Sequence, residues 1–393
     1  MKLAFVIPWF GKDIPGGAES VCWATATRLH GAGVPVEVLT TCIRQFRSDW
    51  NTNYYKPGVE TIDGLTVRRF PVEPRNAEEF LRINDLLIRR MPVTPREQAT
   101  FVREMIRCDD LTAFIRSNQE SYLYAFIPYL FSTTYWGARA SSRSFIVIPC
   151  LHDEGYAYVQ PFRTVFEQAR GLVFHSRAEM NLANRLYRLS ENAQALIGAG
   201  VETSLTGDAA RFQEKHQLGR FLLYIGRRDA GKNVPLLVNY FCKHKDSCPG
   251  DLKLVLVGDG TVAIPDEHEH DIVDLGVLSA HDKRDACAAA IALCQPSVNE
   301  SFSLVLMEAW ASGVPVLVHE DCAATREHCL GSGGGLYFSS FADFSGCLAL
   351  LSENRKLAQR MGRAGRSYVA ANYSWDRVIQ KYLAALGQWG FES

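Results

Sequence analysis

The chain has 393 residues, 47% of them hydrophobic and 22% charged: too long for one ordinary core and too apolar for disorder, so two domains of about equal size are expected. A formal net charge of −1 excludes a global attraction to nucleic acid or to an anionic membrane. Eleven cysteines, odd in number and without a CxxC spacing, indicate neither a disulfide framework nor a zinc site. Reduced thiols in the cytoplasm are the expectation. The opening MKLAFVIPWF breaks at Pro8 and Gly11, too short an apolar run for a signal peptide, and no stretch approaches the ~20 apolar residues of a membrane span.

Lys2 to Pro8 reads as a buried strand, Ala18 to His30 as a helix and Val34 to Thr40 as the next strand, together a βαβ unit. The loop between the first two carries Pro15-Gly16-Gly17-Ala18-Glu19. A glycine pair there lets backbone approach a ligand closely at the carboxyl end of a sheet. A dinucleotide site is disfavoured, because there is no GxGxxG and the second strand ends in Thr40-Thr41 rather than an acidic ribose acceptor. Residues 44–75 read as loops and a hairpin turning at Gly64. Residues 76–117 read as helical and arginine-rich, with Arg82, Arg89, Arg90, Arg96, Arg103 and Arg107 set against Glu78, Glu79, Glu97 and Glu104. That balance describes a solvated helix face; the alternative is a surface meeting a lipid-linked or anionic acceptor at a membrane.

Ser121 to Leu130 reads as an aromatic-rich strand, Ser132 to Ala140 as a helix or loop, and Phe145 to Pro149 as another buried strand. His152-Asp153-Glu154 follows at that strand's carboxyl end, where an α/β fold binds its ligands. Gly171 to Ser176 reads as a strand, and Ser176 with Glu179 as the capping box of a helix reaching Leu189; His175 is read as structural. Turn residues over 200–215 mark the domain boundary, set at 205/206.

The second half opens on a strand, Phe221 to Gly226, followed by Arg227, Lys232 and a helix over 234–241. Arginine forks onto two phosphate oxygens and lysine acts as a point charge, so this pair suits a diphosphate; the bland alternative is a surface ion pair. Leu252 to Gly258 is a strand. Residues 264–271, IPDEHEHD, read as a solvated loop, since neither helix nor strand arranges the histidines for a metal. Asp274 to Leu278 precedes a further helix. The stretch 291–318, IALCQPSVNESFSLVLMEAWASGVPVLV, reads as strand, turn, helix and strand. Pro296 ends the first strand, Ser303 is expected as N-cap, and Gly313 with Pro315 ends the helix. A helix N-terminus gathers unpaired N–H groups and partial positive charge, which suits a phosphate. Glu300 stands just before that point and Glu308 one to two turns inside. Eight residues of turn and helix span roughly 10–12 Å, about the separation of a sugar ring and a ribose across a diphosphate. Carboxylates accept only, and one can take two neighbouring hydroxyls. Gly331 to Gly335 reads as a flexible loop, Leu357 to Ala371 as a helix, 372–375 as a break and Asp376 to Leu386 as the last helix.

Glu300-x7-Glu308 in its setting, Gly226-Arg227-x4-Lys232, the Gly16-Gly17-x-Glu19 loop and His152, in that inventory and in chain order across most of the sequence, resemble retaining GT-B glycosyltransferases of family 4. The resemblance implies an α/β GT-B fold: two Rossmann-like domains with a donor cleft between them. Residues 1–205 form the acceptor side, with a C-terminal helix 376–390 packing back on it, and 206–375 bind the nucleotide sugar. It implies catalytic roles for His152, Glu300, Arg227 and Lys232. Donor contacts fall to Gly16, Gly17, Gly226, Val277, Leu278, Ser301, Phe302, Ser303, Leu304 and Glu308, with no metal site. Ser301 departs from the glycine that many relatives carry after the first glutamate. The implied activity is retaining, metal-independent transfer from a nucleoside-diphosphate sugar, UDP or GDP, without a bound cofactor. The acceptor would be a hydroxyl of a saccharide or lipid-linked molecule in surface polysaccharide or glycolipid assembly. The expected location is cytoplasmic, with peripheral contact at the inner membrane face through 76–117 as the alternative. Two other readings stay open: a sugar-nucleotide epimerase or hydrolase using His152 with Asp153, and a non-catalytic saccharide-binding subunit.

Overall fold

The computed structural model describes residues 1–12, 14–142, 145–228 and 230–391. The chain divides into two units, Met1–Gly200 with Asp376–Ser393, and Val201–Trp375, so the division falls a few residues before the sequence-based boundary.

In the first unit eight strands form one sheet: β1 (Lys2–Ile7), β2 (Val36–Thr41), β3 (Gly58–Ile62), β4 (Leu65–Phe70), β5 (Tyr122–Phe126), β6 (Phe145–Val147), β7 (Gly171–Phe174) and β8 (Gln194–Leu196). Their order is β3-β4-β2-β1-β5-β6-β7-β8. All neighbours are parallel except the β3–β4 hairpin at the edge. Strand order reverses between β1 and β5, and at such a reversal the loops leaving the carboxyl ends part to make a crevice. The helix Trp375–Gln388 returns to this unit: Trp389 packs so tightly on Gly171 that a Cβ there would lie 2.4 Å from the indole, and Trp389 Nε1 donates to Asn192 O at 3.3 Å.

The second unit holds β9 (Phe221–Ile225), β10 (Lys253–Val257), β11 (Ile272–Gly276), β12 (Ala292–Gln295), β13 (Val316–His319) and β14 (Gly335–Phe338). All are parallel, in the order β11-β10-β9-β12-β13-β14. That is the doubly wound order of nucleotide-binding sheets, with its switch point between β9 and β12. β9, β12 and β13 are buried throughout, which is why each reads as a short unbroken apolar run rather than as an alternation.

Several local expectations give way to tertiary contacts. The strand expected over Ser121 to Leu130 stops at Phe126. The break expected over 372–375 is the single residue Ser374, between the helices Arg355–Tyr373 and Trp375–Gln388. Gly331 to Gly335 is not a flexible loop: Gly331 lies in the helix Ala323–Ser332, Gly333 is its left-handed end at φ 62°, and Gly335 begins β14. These glycines serve close contact, since a Cβ on Gly335 would sit 2.4 Å from Val316. Nor is 264–271 solvated throughout. His268 is buried between Asp246 at 3.1 Å and Asp271 at 3.3 Å, and Lys245 donates to Asp271 at 2.9 Å. The helices Gln160–Gln168, Ala209–His216, Ala323–Ser332 and Phe341–Glu353 had no counterpart in the sequence reading. No helix among the described residues is long and apolar enough to cross a membrane.

Candidate functional site

At the second unit's switch point, β9 and β12 pair side by side and each releases a loop at its carboxyl end. The β9 loop begins at Gly226, whose N–H donates to Val257 O at 2.9 Å; a Cβ on the facing Gly258 would lie 2.0 Å from Gly226 O. Backbone therefore runs against backbone here, as a glycine pair allows. The loop ends at Asn233, in the left-handed region at φ 58°, before the helix Val234–Ser247. Asn233 Nδ2 donates to Pro296 O at 3.1 Å and ties the β9 loop to the β12 loop. Across that tie, Lys232 Nζ donates to Glu300 Oε1 at 2.7 Å, with side chains 24% and 12% exposed. Two residues 68 positions apart in sequence thus meet at the carboxyl end of the sheet.

Arg227 and Arg228 diverge. Arg227 is exposed, and its carbonyl accepts from Tyr224 Oη at 2.6 Å, which fixes the backbone from which its guanidinium projects. Arg228 is buried, paired with Asp274 and Gly258 O, and is structural.

The β12 loop enters the helix Leu304–Ala311 through Ser301, Phe302 and Ser303. Ser303 does not act as the expected N-cap. Its φ is 73°, its side chain makes no capping bond, and its Oγ is buried without a hydrogen-bond partner. A capping serine needs an extended backbone, and the residue before it decides otherwise. The Phe302 ring is buried edge-on against His328 at 5.2 Å and Tyr373 at 5.0 Å, which swings the chain into the helix by a left-handed turn. His328 Nδ1 lies 3.0 Å from Tyr368 Oη, and burial pushes the imidazole pKa down to about 3, so this anchor is neutral. Within the helix, Glu308 Oε1 accepts from Lys283 Nζ at 2.9 Å, while Oε2 is buried without a partner. Val277, 75% exposed, and the half-buried Leu278 follow β11 at the same edge of the sheet.

In the first unit Gly16 and Gly17 are exposed at the start of the helix Gly17–Gly31. A Cβ on Gly16, at φ 151°, would lie 1.9 Å from Glu19 Oε2, and Glu19 Oε1 accepts from Trp9 Nε1 at 2.5 Å. The glycine is needed for its positive φ, which L side chains rarely adopt, and Glu19 folds back over the loop. His152 is half-buried, with Nδ1 3.4 Å from Glu154 Oε1; that carboxylate also accepts from Tyr129 Oη at 3.2 Å. Asp153 is engaged elsewhere, by Arg185 at 3.1 Å, Arg90 at 3.4 Å and Tyr158 Oη at 3.0 Å. His152 thus faces Glu154, not Asp153. His175 is buried, which lowers its pKa to about 4, and burial raises Glu179 to about 7 although its carboxylate accepts from the N–H groups of His175 at 2.6 Å and Leu151 at 2.7 Å. Of the arginines over 76–117, Arg82, Arg89, Arg90 and Arg103 pair with Glu97, Asp85, Asp153 and Glu104.

Among the described residues one cluster has metal-like spacing, His281, Asp282 and Asp285. Cationic side chains already fill it: Arg211 Nε lies 2.7 Å from Asp285, its Nη2 3.0 Å from His281, and Lys215 3.0 Å from Asp282. A surface depression of about 520 Å³ around Lys245, Lys253, His268 and Asp271 lies at the amino ends of β10 and β11, away from these loops, and its charges pair with one another. Asn233, Lys283, His328 and Tyr373 were not singled out from sequence, and Phe302 was expected as a donor contact rather than as a buried anchor. Asn233 before Val-Pro carried a helix-start signal, whereas the others carried none.

The strand order, the loops at the switch point and the helix entered from β12 define a doubly wound α/β unit joined to a second α/β unit. The whole chain shares the GT-B fold: it superposes on Anabaena HepE, solved in complex with UDP and glucose, with a TM-score of 0.72 at 14% identity, covering 98% of this chain and 99% of that one. Residues 208–368 match the family described as "Glycosyl transferases group 1", and this part of the chain belongs to it. The chain is 27% identical over 193 residues to a phosphatidyl-myo-inositol mannosyltransferase of Mycobacterium leprae, a match spanning about half of each protein (48% of this chain and 51% of that one). It is 23% identical over 408 aligned residues to a D-inositol 3-phosphate glycosyltransferase of Stackebrandtia nassauensis, covering 96% of this chain and 88% of that one.

Proposed function

We propose that the chain is a retaining glycosyltransferase whose second unit binds a nucleoside-diphosphate sugar. The observation that carries this reading is the meeting of Lys232 with Glu300 at the β9–β12 switch point, beside the N-terminus of the helix Leu304–Ala311. A binding module has no need of a cationic group aimed at a leaving diphosphate.

In this reading Arg227, Lys232 and the backbone amides of Phe302, Ser303 and Leu304 stabilise charge growing on the diphosphate as it departs. Contacts of this kind contribute about 3 kcal/mol each in a transition state. Glu300 accepts hydrogen bonds from the donor sugar and Glu308 from the ribose, while Gly226 allows close approach and the Val277–Leu278 backbone lies along the base. In the first unit we assign the Gly16–Gly17 loop and His152 to the donor. Retention follows a front-face route. The bond from C1 to the phosphate oxygen breaks, the acceptor oxygen bonds C1 on the same face, and the acceptor proton passes to the departing phosphate. No metal takes part.

HepE's complex with UDP and glucose supports UDP as the first donor nucleotide to test, with GDP next. The inositol-directed relatives support an acceptor hydroxyl on a polyol, saccharide or lipid-linked sugar, as in surface glycolipid or polysaccharide assembly. The epimerase or hydrolase reading loses its acid–base pair, because Arg90, Arg185 and Tyr158 hold Asp153.

The test is thermal stabilisation by UDP, GDP, ADP and dTDP, each with and without EDTA. A ligand at ~100 times its Kd adds about 2.7 kcal/mol. Stabilisation by one nucleotide that survives EDTA is expected. Folded protein indifferent to all four would overturn the donor site. Anomeric NMR of the product then reads retention directly.

A further inference from the structure

Glu179 is buried, yet the helix it stands in does not call for a carboxylate there. That helix, Arg177–Leu186, is capped by Ser176, whose Oγ accepts from Glu179 N at 3.1 Å. A capping box would send the glutamate side chain back to the N–H of Ser176. It turns to other donors: Oε2 accepts from His175 N at 2.6 Å, and Oε1 from Leu151 N at 2.7 Å, 28 positions earlier in the chain. Burial raises the carboxyl to about 7, while the N–H groups of His175 and Leu151 and then the field of His152 act to lower it. An apolar side chain would fill the position without that cost. The bond to Leu151 points to the reason for bearing it. Leu151 follows Cys150, which holds a left-handed φ of 54° without being glycine, and precedes His152. Backbone in that region persists only where its surroundings fix it. Tyr129 N donates to Pro149 O at 3.0 Å on the near side of Cys150, and Glu179 takes the amide on the far side.

We propose that Glu179 is a positioning residue for His152: by holding Leu151 N it fixes the turn that presents the imidazole to the donor sugar. This rests on the assignment of His152 to the donor. Glu179, 2% exposed, touches no ligand itself. Two carboxylates then share the work on one histidine. Glu154 stands beside Nδ1 and orients the ring, whereas Glu179 sets the backbone that carries it. An N–H bond to a carboxylate is stronger than one to a neutral acceptor, which suits a clamp on a strained turn.

The experiment measures Kd by calorimetry for UDP against UDP-glucose and for GDP against GDP-mannose. The proteins are wild type, His152→Ala, Glu179→Gln, Glu179→Asp and the His152→Ala/Glu179→Gln double variant, each checked for folding by circular dichroism. The ratio of the nucleotide sugar's Kd to that of its bare nucleotide isolates the contacts of the sugar. His152→Ala should raise this ratio by about fivefold, the scale of one hydrogen bond. Glutamine sets an N–H where an acceptor is needed, and aspartate is too short to span both amides. Each should raise the ratio nearly as far and leave the bare nucleotide's Kd unchanged; if one fails to fold, the other decides. In the double variant the effects should not add, because Glu179 acts through His152. A merely structural Glu179 would weaken nucleotide and nucleotide sugar alike, or cost as much without the imidazole as with it. Either result, or an unchanged ratio in a folded Glu179 variant, overturns the proposal and leaves the assignment of His152 standing. An unchanged ratio in His152→Ala, or no binding of either pair, overturns the assignment and the proposal together.

Discussion

Replacing Glu300 by glutamine is expected to tighten the binding of a bare nucleoside diphosphate while weakening use of the nucleotide sugar. Lys232 Nζ donates to Glu300 Oε1 at 2.7 Å, with side chains 24% and 12% exposed. A diphosphate that recruits Lys232 must first draw it from that carboxylate. Two unit charges ~3.5 Å apart at an effective dielectric constant of ~20 attract by about 5 kcal/mol. Desolvation and screening of the partly exposed ammonium reduce the net value to about 1–2 kcal/mol. Glutamine keeps a carbonyl oxygen and nearly the same volume but loses the charge, so about 1 kcal/mol ceases to oppose the diphosphate, or about fivefold in Kd. The sugar responds in the other direction. Its hydroxyls exchange a charged acceptor for a neutral one, and transfer should fall by roughly 30-fold or more, about 2 kcal/mol. Calorimetry with UDP and GDP, beside turnover of the matching nucleotide sugar, reads both effects on one preparation. A well-folded Glu300→Gln protein whose nucleotide Kd is unchanged or raised would refute the reasoning, because Lys232 would then be neither restrained by Glu300 nor offered to the diphosphate.

Lys232→Ala should lower transfer by about 100-fold or more, the scale of losing one transition-state donor, with circular dichroism unchanged. Asp153→Asn should leave turnover within about threefold, because Arg90, Arg185 and Tyr158 hold this carboxylate in exposed contacts; a loss of 100-fold would return the acid–base reading to the front. Burial holds the folded His328 pKa at about 3, whereas the unfolded residue takes its proton near its ordinary value of about 6.5. The unfolded state therefore binds more protons across that window, and the stability of the second unit should fall on acidification by about 1.4 kcal/mol per pH unit. His328→Gln should flatten that slope in urea unfolding between about pH 4 and 6, and equal acid sensitivity in both proteins would count against it.

The alternation of strands and helices was legible because each buried parallel strand is a short apolar run between turn residues, as in Phe221–Ile225 and Lys253–Val257. The edges were not. β8 is half-buried along its length, and β14 is mostly half-exposed with only Phe338 buried, so neither presents an apolar run. Glycines misled for a related reason. Composition cannot separate a glycine that frees the chain from one that lets a neighbour in, and at 331–335 the neighbours are Val316, Trp310 and the helix Arg355–Tyr373. The expected solvation of 264–271 holds for most of its residues but fails at His268 and Asp271, which are buried, His268 pairing with Asp271 and with Asp246 on the helix Val234–Ser247.

Within the site, legibility followed whether a residue's role is set by its own loop. Lys232 and Glu300 each lie on the loop that leaves a strand ending at the switch point, so position in the sequence is nearly position in the site. Lys283 was silent because its partner Glu308 lies on another helix, and spacing along one helix says nothing about contact across two. Ser303 shows the opposite failure, where a correct local rule is overruled. Serine before a helix is ordinarily a cap, yet here the buried Phe302 ring sets the entry, and the serine holds a left-handed φ of 73° with its hydroxyl unmatched. Such a conformation costs about 1–3 kcal/mol and persists where surrounding structure over-determines it. The surroundings responsible are an aromatic anchor on one side and, on the other, a helix whose first amides are left to face the loop rather than a capping side chain. The strain and the missing cap have one source: the turn that buries Phe302 holds Ser303 at a left-handed φ and leaves the first amides of Leu304–Ala311 without a side-chain cap.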